Sequence, residues 1–523
     1  MRLQPHGALR RADRYPSAML GTPSPLEPLT QGQRIALAAV LLLGLVLRLY
    51  GIHEESAWGD EALTTWCYPA ESFASCMECV FGEDDRLKIA PVYYLVQWAW
   101  SVVAGGSLLA LRMLSVCSGL ATLLLVFHLG RRLFSVQAGL WAALLQALSL
   151  YMIYFDQEVR FYAFMLFLSA ASCALFIDLE RRTWKGWILY LALNTAILFT
   201  HSFAVFLFMA QGIALLITHE RKVRLWFGWG VAHVAIALLL VGWVAWLHYD
   251  FDAQSEAYSD RPAGYREFAM GLLQYAGGRP TNEDPAPYMI TGISFDRMHA
   301  LIVFLLMGFG LAAAGARYYA TPASASAARL WKNMLQVWCW FLVPYVGLYV
   351  LAMVWKPCFF PRYILYAVLP FPLLTGAAFT LLPRHGVFRS ALAGVLLGTL
   401  LYQNFALTRP FRAGYQGMAR LVAQDAPATT TVIGLKTYNF VATRYACAPG
   451  GYRVLEFQGF QEMIDAIPPE IGQGKVVWVV FDRWSKFAEF EAACTARQLH
   501  FEDYHTGGMP RLTVYRVWDG PAA

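Results

Sequence analysis

Residues 108–132 read LLALRMLSVCSGLATLLLVFHLGRR. Leu108 to Leu129 is one continuous apolar run, long enough as a helix to cross the roughly 30 Å hydrocarbon core of a bilayer, and it stops at the basic pair Arg131 and Arg132. Runs of the same kind recur from Ile35 to Leu407. Because they are continuous rather than alternating, they specify helices and not a membrane barrel. Composition agrees: 58% of the 523 residues are hydrophobic and 15% charged, with mean hydropathy +0.44, far too few charges for a water-facing surface of that length. The net charge of +6 does not point to nucleic acid, since the basic residues sit in short clusters between apolar runs, where the positive-inside rule puts them.

Those clusters thread the chain. Arg131 and Arg132; Arg181, Arg182 and Lys185; Arg221, Lys222 and Arg224; Arg317, Arg329 and Lys332; and Arg384, His385 and Arg389 mark inner loops, and neighbouring clusters must enclose two spans. The runs then give spans near 35–50, 108–129, 136–155 and 161–178, a hairpin over 187–218, and spans near 226–247, 299–316, 333–354, 364–382 and 390–407, about eleven in all. Outer loops follow near 156–160, at His201, and over 248–298 and 355–362. The extra run PVYYLVQWAWSVVAGG, from Pro91, would leave Arg131 outside if it crossed. Short and rich in Tyr93, Tyr94, Trp98 and Trp100, it reads as a helix lying on the outer surface. Residues 1–33 read as a disordered cytoplasmic tail and the first span as an uncleaved signal anchor, with Arg48 snorkelling near its end.

After Leu407 the pattern changes. TTTVIGL, YRVLEF, KVVWVVFD and RLTVYRVW alternate with helix-like stretches, the signature of a small layered α/β domain, placed outside by the odd number of spans. The expected organisation is a tail (1–33), an all-α polytopic membrane module (34–408) and an extracytoplasmic α/β domain (409–523), in the plasma (inner) membrane. Cys67, Cys76, Cys79, Cys358, Cys447 and Cys494 then fall outside, where disulfides can form. A Cys447–Cys494 pair is one option, and the lone CxxC of Cys76 and Cys79 reads as a disulfide or free thiols more readily than as a zinc site.

Four polar elements converge on the outer face. GIHEESAWGDEALTTW carries Asp60 and Glu61 just after a span, and YFDQEVRFYAF carries Asp156, Glu158 and Arg160. DRLKIAPVYY carries Lys88, and VWKPCFFPRY carries Lys356 and Arg362. Carboxylates held at a membrane surface are candidates for function, and acids with cations at one depth invite a phosphate and a general base. His201, in FTHSF at the tip of the short-armed hairpin, and Tyr162, two residues after Arg160, are candidate substrate contacts.

The ordered set W-x-DE at Trp58–Glu61, APVYYLVQWAW, ALRMLS, GRRLF, FDQEVRFYAF, THSF and PRYILYAVLP closely resembles the GT-C superfamily over about residues 35–407. Within it the likeness is to the family 39-like bacterial transferases, relatives of protein O-mannosyltransferases and lipid A aminoarabinose transferases. The resemblance implies a polyprenyl-phosphate sugar donor, an extracytoplasmic acceptor and an essential acid in the first outer loop, here Asp60, with Glu61 as a second acid. FDQE also resembles the acidic motif of oligosaccharyltransferases, which would make Asp156 and Glu158 oxygen ligands for magnesium or manganese. A zinc site of the aminoarabinose transferase design is in doubt, because Leu87 stands where that family has an acid.

Chemistry leads to the same place. A phosphate leaves a sugar carbon readily once its charge is neutralised, so the expected equipment is cations and a base. Asp60 would take the proton of the attacking acceptor while Lys88, Arg160, Lys356 and Arg362 hold the lipid phosphate, and a single displacement inverts the anomeric carbon. The alternative is a transporter or flippase for lipid-linked sugars. It calls for inverted repeats and spans broken at the midplane, and the sequence shows neither signal.

Overall fold

The computed structural model describes residues 28–518 apart from 54–55, 66, 69, 71, 83–90, 220–221, 248–263, 279–288, 291–292, 356–357, 384–385, 407–413, 436–439, 472–474, 482–486 and 507–511. Most of the expected tail, and both Lys88 and Lys356, lie outside the described residues.

Local chemistry sets the helix ends. Thr30 and Gln33 form a capping box at the start of α1 (Gln31–Leu49). Two short helices, α2 (Gly59–Thr65) and α3 (Phe73–Gly82), precede α4 (Pro91–Ala104), which begins on a proline and ends before Gly105. Gly105 has φ +93°, which glycine adopts without a Cβ penalty. The Ser107 and Ser135 side chains cap α5 (Leu108–Leu133) and α6 (Val136–Leu148). After a 65° bend at Ser149, α7 (Leu150–Asp156) continues α6. The bundle is completed by α8 (Phe161–Phe176), α9 (Trp184–Leu198), α10 (Val205–Thr218), α11 (Val223–Trp246), α12 (Tyr265–Tyr275), α13 (Phe295–Ala320), α14 (Ala325–Val354), the 3-10 helix Pro361–Val368, α15 (Pro370–Leu381) and α16 (Val387–Ala406).

A helix stands at each expected span, and the chain is a multi-pass membrane protein. Among the described residues, six helical stretches are long and apolar enough to cross a membrane alone: α1, α5, α11, Arg297–Ala320, α14 and Pro361–Leu381. The bent pair α6–α7 makes a seventh if it is one span. α4, at 14 residues, is not one of them. It buries Tyr93, Tyr94 and Gln97, the last donating to Leu111 O of α5, and leaves Val102 and Val103 exposed. Glycines let the spans close up: a Cβ on Gly130 of α5 would lie 2.7 Å from Gly139 Cα of α6, so the two backbones touch. Arg48 does not snorkel. It is fully buried because the last turn of α1 is covered by neighbouring helices, and an acid at Asp156 neutralises it there.

In the C-terminal region a five-stranded sheet forms from β1 (Thr430–Leu435), β2 (Arg453–Phe457), β3 (Val476–Phe481), β4 (His500–His505) and β5 (Thr513–Trp518), in the order β2-β1-β3-β5-β4. β1 is parallel to β2 and β3, whereas β5 runs antiparallel to β3 and β4. The four anticipated strands are present. β4 escapes notice because HFEDYH is an edge strand with largely exposed, polar side chains. One sheet face packs against α19 (Phe460–Ile471) and α20 (Phe487–Ala496), and the other against α17 (Gly414–Val422) and α18 (Phe440–Cys447), where Ala57 and Ala62 join the same core. Cys447 belongs to the second core and Cys494 to the first, so the sheet separates them and the suggested pair does not form. The disulfide is Cys67–Cys79, and Cys76 is a buried free thiol.

Candidate active site

α2 presents its two acids differently. Glu61 is fully buried, and the Arg112 guanidinium grips both its oxygens, Nε to Oε1 and Nη2 to Oε2, each at 2.8 Å. Val159 N–H also donates to Oε1 at 2.9 Å. Arg112 reaches further along the same loop, to Ile52 O at 2.6 Å and Ser56 O at 3.3 Å. One side chain from α5 thereby fixes Ile52, Ser56 and Glu61 together, and Glu61 ties them to Val159. The bidentate geometry offsets the cost of burying both charges.

Asp60 faces the other way. Arg160 Nη2 lies 3.4 Å from its Oδ2, and Arg160 Nη1 donates to Asp60 O at 3.3 Å and Thr64 Oγ1 at 3.1 Å. Arg362, at the start of the 3-10 helix, is within electrostatic reach of Asp60 and Tyr162. Aromatic rings wall both cations. Arg160 stands over Phe161 and Tyr162 at 5.1 and 5.9 Å, and Arg362 over Trp58, Phe360 and Tyr363 at 5.6, 5.3 and 5.7 Å. Tyr162 is buried against Phe155 and Phe161. His201 joins the wall between Phe161 and Tyr363, and its Nδ1 accepts from Phe203 N–H, which leaves Nε2 as the protonated nitrogen of the neutral ring.

The second acidic cluster divides in the same way. Asp156 Oδ2 accepts from Arg48 Nε at 2.7 Å, and Arg48 Nη1 also donates to Gly44 O and Ala147 O. Gln157 Nε2 donates to Arg48 O and Tyr50 O. Gly119 on α5 makes room, since a Cβ there would collide with the Asp156 carboxyl group. The Asp156 and Glu158 metal reading fits this donor set poorly: Asp156 is spent on Arg48, and among the described residues no group of three His, Cys, Asp or Glu side chains is arranged to hold an ion.

The sheet region covers the loop from above. Gln416 N–H donates to Ser56 Oγ at 2.8 Å, and Tyr445 stands beside Thr65 at the end of α2. Burial lifts the Tyr445 phenol above its usual range. The structural importance of Arg112 and Arg48 is not evident from local sequence. Each is a lone cation in an apolar run, and such a residue must be paired or functional inside a membrane; that signal is present in the sequence, though the partner is not.

Residues 88–246 match the family model for dolichyl-phosphate-mannose-protein mannosyltransferase. Among solved structures the chain is similar to ArnT from Cupriavidus metallidurans bound to undecaprenyl phosphate, with TM-score 0.55 and 11% identity over 93% of this chain and 98% of that one. It is also similar to the archaeal oligosaccharyltransferase AglB from Archaeoglobus fulgidus in complex with an inhibitory peptide and a dolichol-phosphate, with TM-score 0.50 and 10% identity over 91% of this chain and 73% of that one. No curated relative matches the chain by sequence.

Proposed function

We propose that the chain, similar in fold to ArnT, is a GT-C superfamily member and an inverting glycosyltransferase, moving a sugar from a polyprenyl-phosphate carrier to an extracytoplasmic acceptor. The observation that carries the reading is Asp60 paired with the Arg160 guanidinium at 3.4 Å and within electrostatic reach of Arg362, with aromatic rings against both cations. The acceptor oxygen attacks the anomeric carbon, the bond from that carbon to the phosphate oxygen breaks, and the electron pair leaves with the phosphate. Asp60 accepts the acceptor's proton, and the two arginines neutralise the phosphate as its charge grows. Lys88 and Lys356, which lie outside the described residues, are proposed to add to that charge. His201 and Tyr162 shape the wall against which the sugar lies. Glu61 plays a different part. Held by Arg112 and Val159, it fixes α2 so that Asp60 points into the site.

The oxidised pair Cys67–Cys79 beside α2 supports an extracytoplasmic site, since disulfides persist in oxidising compartments. Positive-inside threading supports the same orientation, with about eleven spans over 34–408 and the sheet region 409–523 outside. Similarity in fold to transferases favours this reading over a lipid-linked-sugar transporter. The test is binding of undecaprenyl phosphate to the purified full-length protein. Arg362→Ala should weaken it about tenfold or more, the range for losing a charge-assisted contact, whereas Arg389→Ala, on the basic side, should not. Equal affinities in the wild type and both variants would overturn the assignment of the phosphate site.

A further inference from the structure

Between the first outer loop and the sheet region lies a cleft of about 370 Å³ that the donor chemistry leaves unused. Its floor is Ser56, Ala57 and Leu108, the first residue of span α5, and its walls come from α17 and α18. Gln416, Ala419 and Arg420 are spaced i, i+3 and i+4, so they share one face of α17, and Ala423 follows in the turn just past its end. The two alanines create the hollow, while Gln416 and Arg420 supply polar groups to it. Opposite stands Tyr445 of α18. Arg420 is exposed, and among the described residues no carboxylate pairs with it.

The size falls within the range of small-molecule sites. The chemistry is that of a sugar with a negative group: an aromatic ring and small apolar patches for a ring face, amide and hydroxyl groups for sugar hydroxyls, and one guanidinium for an anion. Location adds a role. Ser56 and Ala57 lead into α2, whose Ala62 packs in one core with Tyr415, Met418 and Phe440 of α17 and α18, so a ligand here lies beside the helix that carries Asp60. We propose that this cleft is the acceptor subsite and takes a sugar carrying a phosphate or carboxylate, with Arg420 on the anionic group and Tyr445 and Gln416 on the ring and its hydroxyls. The acceptor role rests on the transferase reading given above; the ligand class rests on the cleft alone.

The probes are glucose 6-phosphate, glucuronate, glucose and inorganic phosphate, followed by saturation-transfer NMR on the full-length protein in detergent. Glucose 6-phosphate and glucuronate should bind, glucose and inorganic phosphate should bind at least about tenfold more weakly, and the stronger of the two sugar acids identifies the anion the cleft prefers. Arg420→Ala should weaken the sugar acids by about tenfold, and Ala419→Trp, which fills the hollow, should abolish them. Arg420 is exposed, so its variant stays informative even if Ala419→Trp fails to fold. Sugar-acid binding that is indifferent to both variants, inorganic phosphate binding as tightly as glucose 6-phosphate, or no binding by any probe each overturns the assignment. Undecaprenyl phosphate, measured in parallel, should bind Arg420→Ala as it binds the wild type. Its failure to bind the wild type would instead overturn the transferase reading while leaving the cleft a sugar-acid site.

Discussion

Asp60 and Glu61 stand side by side at the start of α2, yet one opens onto two arginines at the aromatic wall and the other is sealed against Arg112 and Val159. The 156–160 segment repeats the division, with Asp156 sealed on Arg48 and Arg160 turned to the site. In both places the sealed half is a clamp between elements far apart in sequence, and the other half is the part proposed for chemistry. The two neighbouring carboxylates are matched differently: Glu61, at 0% exposure, is matched in full, as a carboxylate that cannot reach water must be, whereas Asp60, at 8%, has a looser ion pair at 3.4 Å.

The clamp should be the most sensitive region. Arg112→Ala leaves Glu61 buried without its bidentate partner, and breaking one side of such a pair costs about 3–5 kcal/mol. Thermal unfolding of the detergent-solubilised protein should show a large fall in Tm. The double replacement Glu61→Leu with Arg112→Met removes both charges and should recover a substantial part of that loss. An Arg112→Ala protein that melts with the wild type would erase the distinction between clamp and site.

Packing at the second clamp should matter next. Gly119→Ala places a methyl group where the Asp156 carboxyl group sits, an overpacking cost of about 1–3 kcal/mol. Because the strain is passed to Arg48 and residues 157–160, undecaprenyl phosphate binding should weaken as well. Unchanged stability and binding would mean that the 156–160 segment is not held by Asp156.

A smaller, pH-dependent effect belongs to the sheet region, where the ion pair is partly solvated. Arg516 donates twice to Asp425, at 2.8 Å each, and Trp478 Nε1 donates to the same carboxylate. The Arg516 hydrogen bonds, opposed by burial, hold the Asp425 carboxyl below its ordinary value. A depressed carboxyl pKa stabilises fully above the unfolded value of about 3.9 and loses that contribution as pH falls through the folded value. Asp425→Asn should therefore cost about 1–2 kcal/mol at pH 7 and little near pH 2, and Tm measured at both pH values checks it. An equal loss at both would assign the effect to packing.

Much of this was legible in the sequence, for physical reasons that can be named. Continuous apolar runs and their basic ends locate the long apolar helices, because lipid leaves the backbone no alternative, whereas α12 (Tyr265–Tyr275) lies within the expected 248–298 loop and carries no such run. Asp60, Arg160 and Arg362 are readable as polar residues forced to one face. What could not be read is which acid meets which arginine: Glu61 with Arg112 and Asp156 with Arg48 are contacts 51 and 108 positions apart. β4 was hidden by its exposed edge, and the Cys67–Cys79 pairing by the absence of any local rule for connectivity. The cleft over α2 depends on how the sheet region docks, which periodicity does not encode.

The central claim is that Asp60 is the base and Glu61 its support, and single-turnover sugar transfer from the polyprenyl-phosphate donor by Asp60→Asn tests it most directly. The amide keeps the size and loses the proton acceptor, so turnover should fall by about 100-fold or more, while undecaprenyl phosphate binding and Tm stay near the parental values. Transfer by Asp60→Asn at close to the parental rate would contradict the account.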